Sequence, residues 1–157
     1  MRASGPVLIG IDLGTTNLKA VAAGVDGSVL AMARRPMRVV HGAAGASDFD
    51  LAALEGDLAA MLRDLVERLA AAGHRAASIA GIGVASIGEA FTGLDADGNR
   101  IGPCPTWFDR RTAPGRAALG LSGAEWFDIT GMVDDDIYTV HRLRWWREQG
   151  EEWFGRV

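Results

Sequence analysis

Residues Val7–Val39 read VLIGIDLGTTNLKAVAAGVDGSVLAMARRPMRV, and this stretch decides the fold. Val7–Asp12 is an apolar run that ends on an acidic residue and meets Gly14, the pattern of a strand entering a turn. Leu18–Val25 predicts a second strand. Asp26-Gly27 is a two-residue hairpin signal, and Val29–Val39 predicts a third strand beyond it. Two successive hairpins make an antiparallel meander the expected opening, not a βαβ unit.

Downstream of the meander, Ser47-x-x-Asp50 has the form of a helix start, a short-armed relative of the capping box. Leu51, Leu54, Leu58, Met61, Leu62, Leu65 and Leu69 follow at helical spacing, and Gly73 closes the segment as a C-terminal cap. Ile79–Ala85 then alternates small and branched apolar residues, which predicts a buried strand parallel to the first. Ala90–Leu94 and Asp97-Gly98 predict another hairpin, leading through Ile101 to Trp107. Beyond it, Arg110–Leu119 is a candidate helix interrupted by Pro114, Ser122–Phe127 a short helical turn, and Tyr138–Gln149 a longer helix. Pattern alone gives an α/β chain with a mixed sheet.

Composition narrows the function. The 157 residues are 48% hydrophobic and 23% charged, which excludes disorder and fibrous classes. One domain over 1–157 is expected, long enough to bury roughly two-thirds of its unfolded surface. Cys104 is the single cysteine, so a disulfide scaffold is excluded. A net charge of −4 argues against nucleic-acid or anionic-membrane partners, which need a clustered basic face. No apolar run approaches the roughly 18 residues of a membrane span, and Val7–Ile11 is too short for a signal peptide. A cytoplasmic setting is expected. His41, His74 and His141 show no metal spacing with Cys104, so no zinc site is expected. Of the 16 basic residues only Lys19 is lysine.

Gly10–Ala20 (GIDLGTTNLKA) carries the most chemistry. Gly14 lets the backbone approach a phosphate closely, successive N–H groups in such a turn form an anion-binding concavity, and the Thr15 and Thr16 hydroxyls add donors beside Asn17. Lys19 supplies a positive charge for a terminal phosphate. Asp12 is placed to hold Mg²⁺ through water, since that ion takes few protein carboxylates. The plainer reading is that Gly14–Asn17 only turns a hairpin and Asp12 only ends a strand. A P-loop differs: it opens a helix and carries Gly-Lys-Ser/Thr.

The segment Ile9–Val21 resembles the first phosphate motif of the FGGY carbohydrate kinases, a motif shared more loosely with sugar-kinase, actin and chaperone ATPases. A second cluster singles out the family. It runs from GIGVASIGEA (81–90) through GLDADGNR (93–100) to PTWFDRRT (105–112), and resembles the family's strand, polar pair, hairpin and Trp-x-Asp/Cys-x-Arg segment. Thr130-Gly131 and the helix bearing Trp145 extend the likeness over nearly the whole chain. The resemblance implies a ribonuclease-H-like half-domain of the actin and sugar-kinase superfamily, in which antiparallel hairpins precede a helix and a parallel strand. It implies an ATP- and Mg²⁺-dependent kinase acting on a sugar or polyol hydroxyl. In that picture Gly14, Thr15, Thr16, Asn17 and Lys19 cradle phosphate and Asp12 supports the metal.

Glu89, Trp107 and Asp109 would then face the substrate. Glu89 matches the Glu of the Arg-Glu pair of glycerol kinases, but Gly88 stands at the Arg position, and the Met-His pair of xylulose kinases is not matched either. A carboxylate accepts hydrogen bonds from adjacent hydroxyls, and an indole face packs on sugar C–H groups. Core packing for Trp107 and solvated loops for Glu89 and Asp109 are the competing readings. Asp134-Asp135-Asp136 reads as a solvated acidic run, and Tyr138 lies one position beyond a family substrate tyrosine.

Nothing in the chain matches the family's catalytic Asp, which lies in a downstream Gly-rich segment, or its adenine pocket. The expectation is therefore an N-terminal fragment, inactive alone, whose partners are the sugar, the C-terminal part of the kinase and a second copy in a homodimer. Two other readings stand beside it. A stand-alone sugar-binding or regulatory module would keep the substrate face, and a chaperone- or actin-like ATPase fragment would share only the phosphate turn.

Overall fold

The structure is a computed structural model that describes residues 5–114 and 119–157. Its chain divides into two compact units, 1–38 with 50–87, and 39–49 with 88–157.

The first unit is built on the predicted meander. Strands β1 (Val7–Leu13), β2 (Asn17–Gly24) and β3 (Val29–Pro36) pair antiparallel in sequence, and β6 (Ile79–Ser86) joins β1 in parallel to give the order β3-β2-β1-β6. The β2–β3 turn closes on Gly27 at φ +84°, where a side chain would be strained. The third strand ends earlier than predicted. Pro36 has no N–H for the ladder, and the chain resumes pairing only at β4 (Val39–His41), in the second unit.

Helix α1 (Leu51–Ala71) covers one face of this sheet. Its N-cap is Asp50, whose carboxylate accepts from Ala53 N at 3.0 Å. The expected cap, Ser47, instead lies in a short strand, β5 (Ser47–Phe49), because its backbone pairs with His41 across β4. Met61, Leu65 and Leu69 are fully buried against Val7, Ile9, Ile11, Leu18, Ala20 and Ala22, alternate residues of β1 and β2. The small alanines let the helix approach closely.

Strand β6 departs from expectation. It is mostly exposed, since it pairs with β1 alone while α1 packs on β2 and β3. Leu8 and Met32 are exposed on the face turned away from α1, whereas Ile82 and Val84, in register with Ile9 and Ile11, are exposed on the same side of the sheet as the helix.

Among the described residues, the second unit holds the β4–β5 hairpin, a two-residue ladder of β7 (Gly93–Leu94) with β8 (Arg100–Ile101), and the α-helices α2 (Gly123–Thr130) and α3 (Thr139–Gln149). Helix α2 is longer than the predicted turn. Ser122 and Glu125 form a reciprocal capping box at its start, and Gly131 at φ +71° ends it. Helix α3 follows the prediction closely. Trp126 stacks on His141 at 5.1 Å, and Trp146 meets Phe91 and Trp153 edge-on at 5.4 and 5.2 Å. Of the candidate helix at Arg110–Leu119, residues 111–113 form a turn and Pro114 is helical, and residues 115–118 lie outside the described ones.

Candidate functional site

The phosphate-turn residues belong to the first unit. Gly14 N donates to Asn17 O at 3.1 Å and closes the turn between β1 and β2. A Cβ on Gly14 would stand 3.0 Å from Asn17 O and 3.5 Å from Asp12 Oδ2, so glycine keeps this cradle open beside the carboxylate. Thr16 is exposed and Thr15 half-buried; the Thr16 carbonyl accepts from Met37 N, which anchors the turn to the chain after β3.

Asp12 and Lys19 are register partners on β1 and β2, and Lys19 Nζ lies 3.3 Å from Asp12 Oδ2. Both side chains are about half exposed, so the pair contributes at most about 1 kcal/mol and can exchange either partner for a ligand. Among the described residues no cluster of three or more His, Cys, Asp or Glu could hold a metal ion. Mg²⁺ uses one or two carboxylates and fills its shell with water and phosphate oxygens. Asp12, open to solvent at the strand end, is the residue here that fits.

Glu89, Trp107 and Asp109 belong to the second unit. Trp107 is 46% exposed and touches Phe108 edge-on, so its indole is not core packing. Glu89 is half-buried and sits at φ +58°, a left-handed conformation rare outside glycine. Its Oε2 accepts from both Thr139 N and Thr139 Oγ1 at 2.6 Å, which caps the first turn of α3.

Asp109 is buried. Its Oδ2 accepts from Ser47 N at 2.8 Å and Arg111 Nε at 2.9 Å, and its Oδ1 from Arg111 N at 2.9 Å. Arg111 also bonds Asp48, and so links the loop of Trp107 to β5. Burial opposes the Arg111 charge, but hydrogen bonds and charges from Asp109 and Asp48 together outweigh it and raise its pKa. A sugar hydroxyl at Asp109 would compete with these bonds.

Sequence reasoning missed Arg142. This fully buried side chain on α3 donates to the carbonyls of Glu89, Pro105 and Thr106. The mark it left in sequence is the Arg-x-x-Trp pattern ending at Trp145, and nothing local to that pattern points to distant carbonyls. Tyr138 donates from its hydroxyl to Val133 O, and Asp134 meets His141 Nε2 at 2.9 Å, so at least part of the acidic run is engaged within the unit.

Cys104 is 7% exposed, and burial, aided by the charge of Asp48, pushes its thiol up to about 11 from 9.0. The unfolded chain therefore releases this proton first as pH rises. The cysteine costs nothing at neutral pH, and its contribution to stability falls through the window from about 9 to about 11. Iodoacetamide at pH 8 is expected to leave the folded chain unmodified and to label it fully in denaturant. Rapid labelling of the folded chain would contradict this burial.

Residues 7–157 match the FGGY family of carbohydrate kinases, N-terminal domain. A xylulose kinase of Streptomyces rubiginosus is 30% identical over 96% of this chain and 30% of its own length. An erythritol kinase of Brucella abortus is 35% identical over 83% of this chain and 25% of its own. Among solved structures, the xylulose kinase from Rhodospirillum rubrum superposes with a TM-score of 0.87 at 25% identity, covering 96% of this chain and 31% of that one. The chain thus spans about 30% of the length of these relatives. No helix among the described residues is long and apolar enough to cross a membrane.

Proposed function

The chain belongs to the FGGY family of carbohydrate kinases, and from that premise we propose that it is the phosphate- and sugar-binding portion of a longer ATP-dependent kinase for a sugar or polyol hydroxyl. The observation that carries this reading is the hairpin that sets Asp12, the open Gly14 turn and Lys19 side by side, in a chain matched by the family over residues 7–157. Backbone N–H groups around Gly14, with Thr15, Thr16 and Asn17, take the phosphates, and Lys19 turns from Asp12 towards the negative charge. Asp12 is the residue that would hold Mg²⁺, and the ion would neutralise charge on the transferred phosphoryl group. On the substrate side Glu89 accepts from hydroxyls, Trp107 offers an apolar face, and Asp109 holds the Trp107 loop in place through Arg111 and Ser47. A cytoplasmic setting, where ATP is supplied and Cys104 stays reduced, fits this role.

The base that would deprotonate the sugar hydroxyl has no counterpart in these residues, so residues 1–157 alone are expected to phosphorylate neither D-xylulose nor erythritol. Turnover with ATP and Mg²⁺ by the purified chain would overturn that expectation. Calorimetric titration tests the sugar side. Weak binding of one of these two compounds is expected, weakened tenfold or more by Glu89→Ala, as befits loss of hydrogen bonds to a charged acceptor worth about 1.5–3 kcal/mol. Undiminished binding by Glu89→Ala would remove Glu89 from the site.

A further inference from the structure

Glu89 is held at both ends by one helix. Thr139, the first residue of α3, donates from N and Oγ1 to Glu89 Oε2; Arg142, one turn on, donates from Nη1 to the Glu89 carbonyl at 2.6 Å. The same guanidinium reaches the second loop, with Nη2 on Thr106 O at 2.8 Å and Nη1 on Pro105 O at 3.4 Å. Trp107 is the next residue in the chain.

Arg142 is an expensive way to fill this space. It is fully buried, and among the described residues its hydrogen bonds go to carbonyl oxygens and to no carboxylate. An apolar side chain of similar length would avoid the desolvation of a guanidinium. A methionine could not do what the planar fork does, which is to fix carbonyls from two separate loops in one geometry.

We infer that Arg142 is a positioning residue: with Thr139 it forms a clasp on α3 that sets the Gly88–Glu89 loop and the Thr106–Trp107 segment in fixed relation to each other. The clasp also fixes how Glu89 meets a ligand. Both lone-pair directions of Oε2 are taken by Thr139, so Oε1 is the oxygen left to accept from a hydroxyl. Glu89 would therefore read a sugar through one oxygen rather than through a bidentate pair. The link to sugar rests on the reading proposed above; the clasp itself does not.

Hydrogen exchange of the whole chain separates the two. In Arg142→Met, amides of residues 88–92 and 104–108 are expected to exchange at least tenfold faster together, while those of α2, in the same unit, stay within about twofold. Arg142→Lys keeps the charge but lacks the fork, and is expected to free one of the two segments and protect the other; it also serves if Arg142→Met does not fold. Uniform acceleration that includes α2, no acceleration in either segment, or full protection of both in Arg142→Lys would overturn the clasp. D-xylulose titration supplies the second arm, with a tenfold loss of affinity expected in both variants. If the wild-type chain binds neither D-xylulose nor erythritol, the sugar reading fails, and the exchange result still decides the clasp.

Discussion

Replacing Asp109 by alanine is expected to destabilise the second unit by about 3–5 kcal/mol, the loss seen when one partner of a buried ionic network is removed. The side chain is almost fully buried and its two oxygens accept from Ser47 N, Arg111 N and Arg111 Nε. Truncation leaves the Ser47 N–H buried and unpaired and leaves Arg111 with Asp48 as its remaining carboxylate. The expected result in a thermal melt is a fall of roughly 6–20 °C, at about 2–4 °C per kcal/mol for a chain of this size. Asp109→Asn keeps the shape and one oxygen acceptor, so it should fall between wild type and alanine. If Asp109→Ala melts within about 1 kcal/mol of wild type, the carboxylate is not a structural anchor, and a place against the substrate becomes the better account of it.

Gly102→Ala should cost a comparable amount for a different reason. Gly102 has φ +74°, and a Cβ there would lie 2.5 Å from Trp153 Cε3, far inside the usual carbon–carbon separation of about 3.5–4.0 Å. The left-handed conformation alone costs a non-glycine residue about 1–2 kcal/mol. Forcing Trp153 away from Trp146, which it meets edge-on at 5.2 Å, adds about 1–3 kcal/mol. Gly98→Ala is the control, since Gly98 has φ +80° but nothing within 4 Å of a Cβ. A double-mutant cycle with Trp153→Ala should then return the steric part and leave the conformational part. Equal melting of Gly102→Ala and Gly98→Ala would show that Trp153 yields freely.

The first unit was legible because its signals are local. Alternation in β1 and β2, the Asp26-Gly27 turn and the leucine spacing of α1 each act within a few residues, and sheet order follows from short connections. Boundaries went wrong where a distant partner intervened. Ser47 looks like a cap in sequence, but its backbone bonds to Asp109 and Thr106 and to the facing β4 strand, and Asp50 takes the cap. Strand β6 looks buried because it is apolar, yet apolar composition does not say which strands α1 covers. The capping box at Ser122–Glu125 was readable in the sequence and would have lengthened the predicted turn into α2.

By itself, then, the sequence determined the hairpin with its Gly14 turn and the resemblance to a kinase family, because a glycine turn between two strands is a property of adjacent residues. Tertiary structure alone decided what the carboxylates do. Asp12, Glu89 and Asp109 look alike in sequence, but one is open to solvent beside Lys19, one caps a helix with a single oxygen, and one is buried under three hydrogen bonds. The difference comes from donors as far as 62 residues away in the chain, and no local pattern carries the position of a donor that distant.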